Sequence, residues 1–226
     1  LPVTTLAYPT KYAFWSAPYS PAPLVVMTHR TLLVQFMQRG VLKTLLFNPT
    51  RDVASRATPF FARMIAQVGD YVAFHLLAKR FESLESQLAA LGVSREGVDY
   101  IAFDHFHTQD LRSLLGTVDG RHAPRFPRAK LIAPKNEWED WDDLHPMQRA
   151  WYVADGKRNV RTERVALSDG DYELGDGVML LRTPGHTSGN QTLFFNTSDG
   201  VWGTSENGTC ADNWSPLESR MPGLPA

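Results

Sequence analysis

The sequence predicts an α/β fold of one domain, made of two similar halves that each run from strands to helices. Short runs rich in branched residues alternate with helical patterns in the order strands, helices, strand, strand, helices, strands. The length of 226 residues suits a single domain, and no linker, low-complexity tract or short repeat divides the chain. We therefore expect residues 1–226 to form one domain around one core.

The first half begins with strands and continues with helices. Residues 1–23 contain five prolines and several aromatic residues, which favours an extended arm over a helix. Apolar runs at 24–28, 32–36 and 42–47 predict an antiparallel meander. From about residue 55 to residue 91, apolar residues recur at three and four positions, which predicts helices that end at Gly92.

The second half is predicted to be mostly strands. Strands at 99–103 and 130–134 are each followed by a helical segment, LRSLLG after the first and the acidic, aromatic NEWEDWDD after the second. Turns of the type DG, GDG and SDG separate further strands at 160–166, 171–174, 178–182, 191–195 and 201–203. No closing helix follows, so we expect the second half to lack its last strand and helix.

The composition excludes several classes of function. Lysine plus arginine total 23 and aspartate plus glutamate total 24, which gives no electrostatic basis for binding nucleic acid or an anionic membrane. No apolar run approaches the ~20 residues of a membrane-spanning helix, and the N-terminus lacks the pattern of a signal peptide. Cys210 is the single cysteine, which excludes an internal disulfide. We therefore expect a cytoplasmic protein whose partner is a small-molecule substrate.

Two histidines form the first candidate site, in the segment DHFHTQDL at 104–111. His105 and His107 are separated by one residue at the end of a predicted strand, so both can face the same side where the chain turns. Imidazole is the commonest protein ligand for zinc and similar metals. An isolated H-x-H is more often a pair of ordinary turn histidines, so this segment alone does not identify a metal site.

Two further segments supply one histidine and one carboxylate. The loop TPGHTSGNQTL at 183–193 carries His186, and its glycines let the backbone approach another group closely. The segment WGTSENG at 202–208 presents Glu206 at the end of a short strand. Taken singly, a solvated glycine turn and a charged loop residue are the commoner explanations.

Together, the order and spacing of these segments resemble the metallo-β-lactamase superfamily, in particular its lactonase-like and glyoxalase II-like hydrolases. TPGHTSG is the most specific part, and HFHTQD stands where the family has H-x-H-x-D-H. The flanking segments GVSREGVDYIAFDHFH and FPRAKLIAPKNEWEDW also resemble those of the family. The resemblance covers about residues 24–210. It implies the α/β fold of that family, an αββα sandwich.

The resemblance implies a metal-binding role for each matching residue. His105, His107 and His186 match the three-histidine first metal site of the family. Glu206 follows His186 by 206 − 186 = 20 positions and matches the acidic residue that bridges two metals. Asp104 is the nearest carboxylate that could orient one of these histidines, and capping the strand end explains it equally well.

The second metal site departs from the family pattern. Gln109 stands at the family's aspartate and Asp110 at its fourth histidine, and the family's final histidine falls beyond residue 226. Asn48-Pro49-Thr50 replaces the usual aspartate-threonine-glycine turn. Asp110 and Glu206 remain as metal ligands at a second site that is weaker and richer in oxygen.

The resemblance implies a metal-dependent hydrolase of an ester, lactone or thioester that acts through a metal-bound hydroxide. The implied cofactor is one or two divalent ions, with zinc first and manganese or iron as alternatives. Asp110 is the candidate catalytic residue, which would hold or deprotonate the attacking water. Two alternatives stay open: a non-catalytic binding protein of the same fold, and a carboxylate-rich di-iron redox enzyme.

Overall fold

The computed structural model describes residues 1–10, 22–146, 148–206 and 216–218. Within these ranges the strands form three sheets, with the orders β2-β1-β5, β3-β4-β6-β7-β8 and β12-β11-β10-β9. The strands are β1 (Pro2–Pro9), β2 (Leu24–Arg30), β3 (Leu32–Gln38), β4 (Val41–Phe47), β5 (Ala78–Arg80), β6 (Tyr100–Ala102), β7 (Lys130–Pro134), β8 (Val165–Ser168), β9 (Tyr172–Gly175), β10 (Val178–Arg182), β11 (Gln191–Thr197) and β12 (Gly200–Thr204).

The helices are short and lie mainly between β4 and β8. The α-helices are α1 (Asp52–Arg56), α2 (Pro59–Val68), α3 (Leu84–Ala90), α4 (Arg112–Leu115) and α5 (Lys135–Asp140), and a π-helix spans Val72–Leu76. None of the described helices is long and apolar enough to span a lipid bilayer. The last described element after β12 is a 3₁₀ helix at Pro216–Glu218.

Two packed sheets form the centre of the molecule, which confirms the predicted α/β class. In the five-stranded sheet β4, β6, β7 and β8 are parallel, and their side chains alternate between its two faces. Leu45 and Ala102 point into a buried cluster shared with Leu180 and Leu193 of the four-stranded sheet. On the other face Ile101 belongs to a second cluster with side chains of the helices. Full burial of each large aliphatic side chain contributes roughly 1.5–3 kcal/mol.

The predicted meander of three strands is wrong in its pairing. β3 and β4 form an antiparallel hairpin, whereas β2 pairs with β1 in a separate sheet. The expected N-terminal arm is extended over β1, where Tyr8 is buried and its ring contacts those of Phe60 and Phe61. Arm residues 11–21 lie outside the described ranges.

Two other boundaries differ from the prediction. The helical stretch at 55–91 is interrupted by β5, whose backbone pairs with β1. The predicted strand at 160–166 begins at Val165, because a 3₁₀ helix occupies Thr162–Arg164. At β5 a partner strand distant in the sequence determines the conformation, and local periodicity does not report such a partner.

Loops from both sheets meet at one edge of the molecule. The parallel strands β4 and β6 end side by side, and the Asn48 amide donates to the Ala102 carbonyl at 2.9 Å. Gln191, at the start of β11, donates from its backbone to Asp104 O at 2.9 Å and from its side chain to Phe103 O at 2.7 Å. These bonds hold the loop after β6 against the loop that follows β10.

Candidate metal centre

The H-x-H segment follows β6 and is oriented by the residue between its histidines. Phe106 is fully buried, with its ring 5.9 Å from that of Phe103 and 5.2 Å from that of Trp141. Because Phe106 is fixed in the core, His105 and His107 on either side of it can share the opposite side. Thr108 then turns the chain with a positive φ of 65° and donates its amide to Trp151 O at 2.7 Å.

The third histidine lies on a closed loop between β10 and β11. The Thr183 amide donates to Asn190 O at 2.8 Å, and the Asn190 side chain donates to Thr183 O at 2.9 Å. The Gly185 amide donates to Thr187 O at 3.0 Å, which tightens the turn that carries His186. The loop therefore presents His186 from a fixed base.

The structure brings the three predicted histidines together. One ligand nitrogen of each of His105, His107 and His186 lies within 4.8 Å of the others. The ring centroids are 4.7, 4.6 and 4.8 Å apart and the rings stand at 75–90° to one another. His186 Nε2 and His107 Nδ1 are 3.1 Å apart. Two imidazole nitrogens on one tetrahedral zinc would be about 3.3 Å apart at bond lengths of 2.0–2.1 Å. The nitrogens of His107 and His186 therefore have the spacing that a single zinc-sized ion requires.

The protonation states of two of the histidines suit metal binding. Burial lowers the pKa of His107 to about 2, and the neighbouring charge on His105 acts in the same direction. Burial likewise lowers the pKa of His186 to about 4. Both imidazoles are neutral near pH 7, so each has one nitrogen lone pair available to an ion.

Asp104 lies behind His105, in the position expected of an orienting carboxylate. Its Oδ1 is 2.8 Å from His105 Nδ1, which leaves Nε2 as the free nitrogen of that ring. Burial alone would lower the pKa of His105, but the charge and hydrogen bond of Asp104 outweigh it and the pKa is raised. Asp104 is held in turn by Asn48, which donates from Nδ2 to Oδ2 at 3.1 Å.

Gln148 orients His107 in a comparable way, and the sequence analysis missed it. Its Oε1 is 2.5 Å from His107 Nε2, and its Nε2 donates to His186 O at 3.2 Å. An acceptor at Nε2 keeps the proton on that nitrogen and leaves the Nδ1 lone pair free. Gln148 therefore contacts both histidine-bearing loops from the segment between α5 and β8.

The side chains at the two altered positions of the motif, Gln109 and Asp110, form hydrogen bonds with neighbouring residues of the protein. Gln109 is buried and donates from Nε2 to Thr50 Oγ1 at 2.7 Å and to His107 O at 3.1 Å. Asp110 accepts from the Arg112 backbone at 3.1 Å and from the Arg112 guanidinium at 2.9 and 2.8 Å. Among the described residues, the cluster of ligand atoms does not include the Asp110 carboxylate, and the Gln109 amide nitrogen is engaged with Thr50 and the His107 backbone.

Glu206 lies beside His29 rather than in the cluster of three histidines. His29 Nε2 is 3.4 Å from Glu206 Oε2, and the Arg30 amide donates to Glu206 Oε1 at 3.4 Å. Burial raises the pKa of Glu206 to about 8, with a further contribution from Asp104, and burial lowers the pKa of His29 to about 4. Both shifts favour the uncharged form of the side chain, so burial works against an ion pair between Glu206 and His29. His29 lies within β2.

Aromatic residues border the histidines on two sides. Trp151 lies 6.0 Å from His107 between ring centroids, and Phe60 of α2 stacks on Trp151 at 4.0 Å. Tyr152 stands edge-on to His107 at 5.0 Å. Trp141 fills the core, whereas Trp151 is next to the cluster; Trp214 and Cys210 lie outside the described residues.

Comparison with known proteins gives similarity in structure but not in sequence. No protein-family model matches the chain, and no curated protein matches it. An N-acyl homoserine lactone hydrolase, with N-hexanoyl-L-homoserine at its catalytic metal centre, matches with 21% identity and a TM-score of 0.56. That match covers 89% of this chain and 71% of the other.

Two further solved structures are similar. A probable metal-dependent hydrolase from Staphylococcus aureus matches with 11% identity, a TM-score of 0.63, and coverage of 90% of this chain and 70% of its own. A dizinc quorum-quenching lactonase in complex with a product matches with 16% identity, a TM-score of 0.60, and coverage of 90% and 68%. The chain therefore has the metallo-β-lactamase fold that its sequence resemblance predicts.

Proposed function

We propose that this chain, with its metallo-β-lactamase fold, is a metal-dependent hydrolase that opens a lactone or cleaves a related ester. The observation that carries the proposal is the convergence of His105, His107 and His186, from loops of two different sheets, within 4.8 Å. A loop that served only to turn the chain would not require three imidazoles to face one another. Similar solved structures include a lactone hydrolase and a dizinc lactonase, which supports this class of substrate.

In this proposal the three imidazoles hold one ion and leave a fourth position open. A bound divalent ion polarises a scissile carbonyl and activates water. Asp104 and Gln148 hold His105 and His107 by their outer nitrogens, at 2.8 and 2.5 Å, so the inner nitrogens stay directed at one point. The ring of Trp151 beside His107 excludes water from one side. Fixed ligand directions and a partly dry site are what metal-assisted hydrolysis requires.

Zinc is the ion that we propose, since three imidazole nitrogens are a donor set that suits zinc and would leave one position open. We further propose that the chain acts as one domain, residues 1–226, on a small molecule in the cytoplasm. A single cysteine and balanced charge support the location and the type of partner.

The predicted roles of Asp110 and Glu206 as ligands, and of Asp110 as catalytic residue, stay predictions. Asp110 would have to release Arg112, and Glu206 would have to leave His29, before either side chain reached an ion at the cluster. With both carboxylates engaged elsewhere, the structure gives no support to a carboxylate-rich di-iron centre. The hydrolase is therefore the function that the geometry supports best.

The test combines metal content with turnover. Purified protein should contain zinc by elemental analysis and should hydrolyse N-hexanoyl-L-homoserine lactone or a p-nitrophenyl ester. Chelation should abolish the rate and added zinc should restore it. His107→Ala should lower the rate by more than about 100-fold, since loss of even an outer partner of a ligand costs 10- to 100-fold in affinity or activity.

The matched control is His75→Ala, which removes an exposed histidine whose ring contacts Tyr71. This variant should keep native metal content and rate. A rate that survives both the chelator and His107→Ala would refute the proposal. Metal-free protein without turnover would favour the non-catalytic alternative.

A further inference from the structure

Glu137 of α5 is the most buried carboxylate near the histidines, although it faces none of their ligand nitrogens. The residue is 1% exposed. Its Oε1 accepts a hydrogen bond from the Phe106 amide at 3.0 Å and a short one from the Tyr152 hydroxyl, and its Oε2 accepts from the Gly189 amide at 3.2 Å. One side chain thus collects three donors from three segments of the chain.

Each donor stands next to the proposed metal ligands. Phe106 separates His105 from His107, and Gly189 follows His186 by three positions. Tyr152 packs its ring edge against His107 at 5.0 Å. The two histidine-bearing loops come from different sheets, so the Glu137 carboxylate joins them through one group.

A carboxylate is required by the chemistry of these contacts. Two N–H groups and one O–H group converge on the Glu137 side chain, and a carboxyl group offers an acceptor at both of its oxygens. Glutamine would direct its own N–H₂ toward at least one donor and leave that buried donor without an acceptor.

Gly189 of the TPGHTSG loop lies so close to Glu137 that no side chain fits at its position. A Cβ atom at Gly189 would lie 2.4 Å from Glu137 Cβ and 2.6 Å from the Glu137 backbone nitrogen. Any larger residue would force the His186 loop away from α5. The last glycine of the motif therefore permits the approach that lets Glu137 reach the Gly189 amide.

We infer that Glu137 is a positioning residue that sets the distance between the two histidine-bearing loops, so that metal affinity depends on it. This inference rests on the proposed function only in that a metal binds the three histidines. Glu137 acts through the backbone of Phe106 and Gly189.

The experiment compares Glu137→Gln with Glu139→Gln, an exposed glutamate on the same helix. Zinc affinity is measured by competition with a chromophoric chelator, and geometry by the absorption spectrum of the cobalt-substituted protein. Glu137→Gln should bind zinc about 10- to 100-fold more weakly, as changes to outer partners of ligands do. Its cobalt spectrum should shift, and Glu139→Gln should match native protein in both measurements.

Circular dichroism first establishes that each variant is folded. Should Glu137→Gln fail to fold, Tyr152→Phe removes a single donor, preserves the shape, and should weaken zinc binding by a smaller factor. The inference would be overturned if folded Glu137→Gln had native zinc affinity and a native cobalt spectrum. If only Tyr152→Phe folds, the same result in that variant would overturn it. If native protein bound no metal, the proposed function would fail instead, so the two failures are distinguishable.

Discussion

Replacement of Asp104 by asparagine should separate stability from metal binding. The side chain is 3% exposed and lies 2.8 Å from His105 Nδ1. Its Oδ1 also accepts from the His105 amide at 2.9 Å, and its Oδ2 accepts from Asn48 at 3.1 Å, from Ser205 at 3.4 Å and from the Glu206 amide. Every neighbour is a donor, so an amide placed here faces donors in either orientation.

The magnitude follows from those contacts. Asp104→Asn removes one partner of a buried ion pair and turns an N–H₂ toward other donors, which should cost about 3–5 kcal/mol of unfolding free energy. That loss is a large share of the roughly 5–15 kcal/mol typical of a domain. Denaturation of the metal-free protein in urea at low temperature measures it. The control is Asp143→Asn, whose side chain is 97% exposed and which should leave stability unchanged.

Metal binding should change in a second, independent way. In native protein Asp104 raises the pKa of His105, so zinc must displace a proton from that ring and affinity should rise with pH through this pKa. In Asp104→Asn the burial of His105 remains without the carboxylate, so its pKa should fall below the ordinary 6.5. The rise of zinc affinity with pH should therefore occur at lower pH in the variant. Above the pKa of His105, the variant should bind zinc about 10- to 100-fold more weakly than native protein. A folded variant with the native pH profile and affinity would refute the orienting role of Asp104.

Two further predictions concern the metal-binding loop. Gln109→Asp combined with Asp110→His restores the donor types of the family, and should raise zinc content from one ion toward two per chain at matched zinc concentration. Two tightly bound zinc ions in native protein would contradict this reasoning. Metal-free protein should lose stability as pH falls from 6.5 toward 4.5, because His107 stays neutral when folded, with a pKa of about 2, but is protonated when unfolded. The slope from this residue is up to about 1.4 kcal/mol per pH unit, and urea denaturation of His107→Gln should show a shallower dependence than native protein.

The parts of the fold that sequence analysis predicts are those determined by local pattern. The apolar runs of β4, β6 and β7 are short and bounded by turns, and each forms a strand as predicted. Their place inside the five-stranded sheet is a finding of the structure. Strand pairing is not local, so β2 was paired with the wrong neighbour and β5 was missed. β5 is only three residues long and two of them are charged, which gives no periodic signal.

The candidate site divides in the same way. His105, His107 and His186 were identified because motif order and glycine spacing survive in the sequence. Glu137 and Gln148 were missed because each sits in a polar segment where neither type nor spacing distinguishes a buried acceptor from a surface residue. The need for glycine at position 189 is explained only by the structure, because a Cβ atom at Gly189 would lie 2.4 Å from Glu137 Cβ.

The residues predicted to hold a second metal are engaged in competing contacts, in addition to their change of residue type. Arg112 holds Asp110 with three hydrogen bonds, Thr50 holds the amide of Gln109, and His29 accompanies Glu206. Each contact occupies a side chain that would otherwise be available to a second ion. Breaking the contact costs free energy, because the partner group loses its hydrogen bond. A variant with the family's ligand types would therefore bind a second ion only if its new side chains did not form hydrogen bonds with these partners. In contrast, the partners of the first site, Asp104 and Gln148, bind the outer nitrogens and leave the inner ones free. In the proposed hydrolase, hydrogen bonds to the outer nitrogens would thus support the first ion, whereas hydrogen bonds to the ligand atoms themselves would oppose a second.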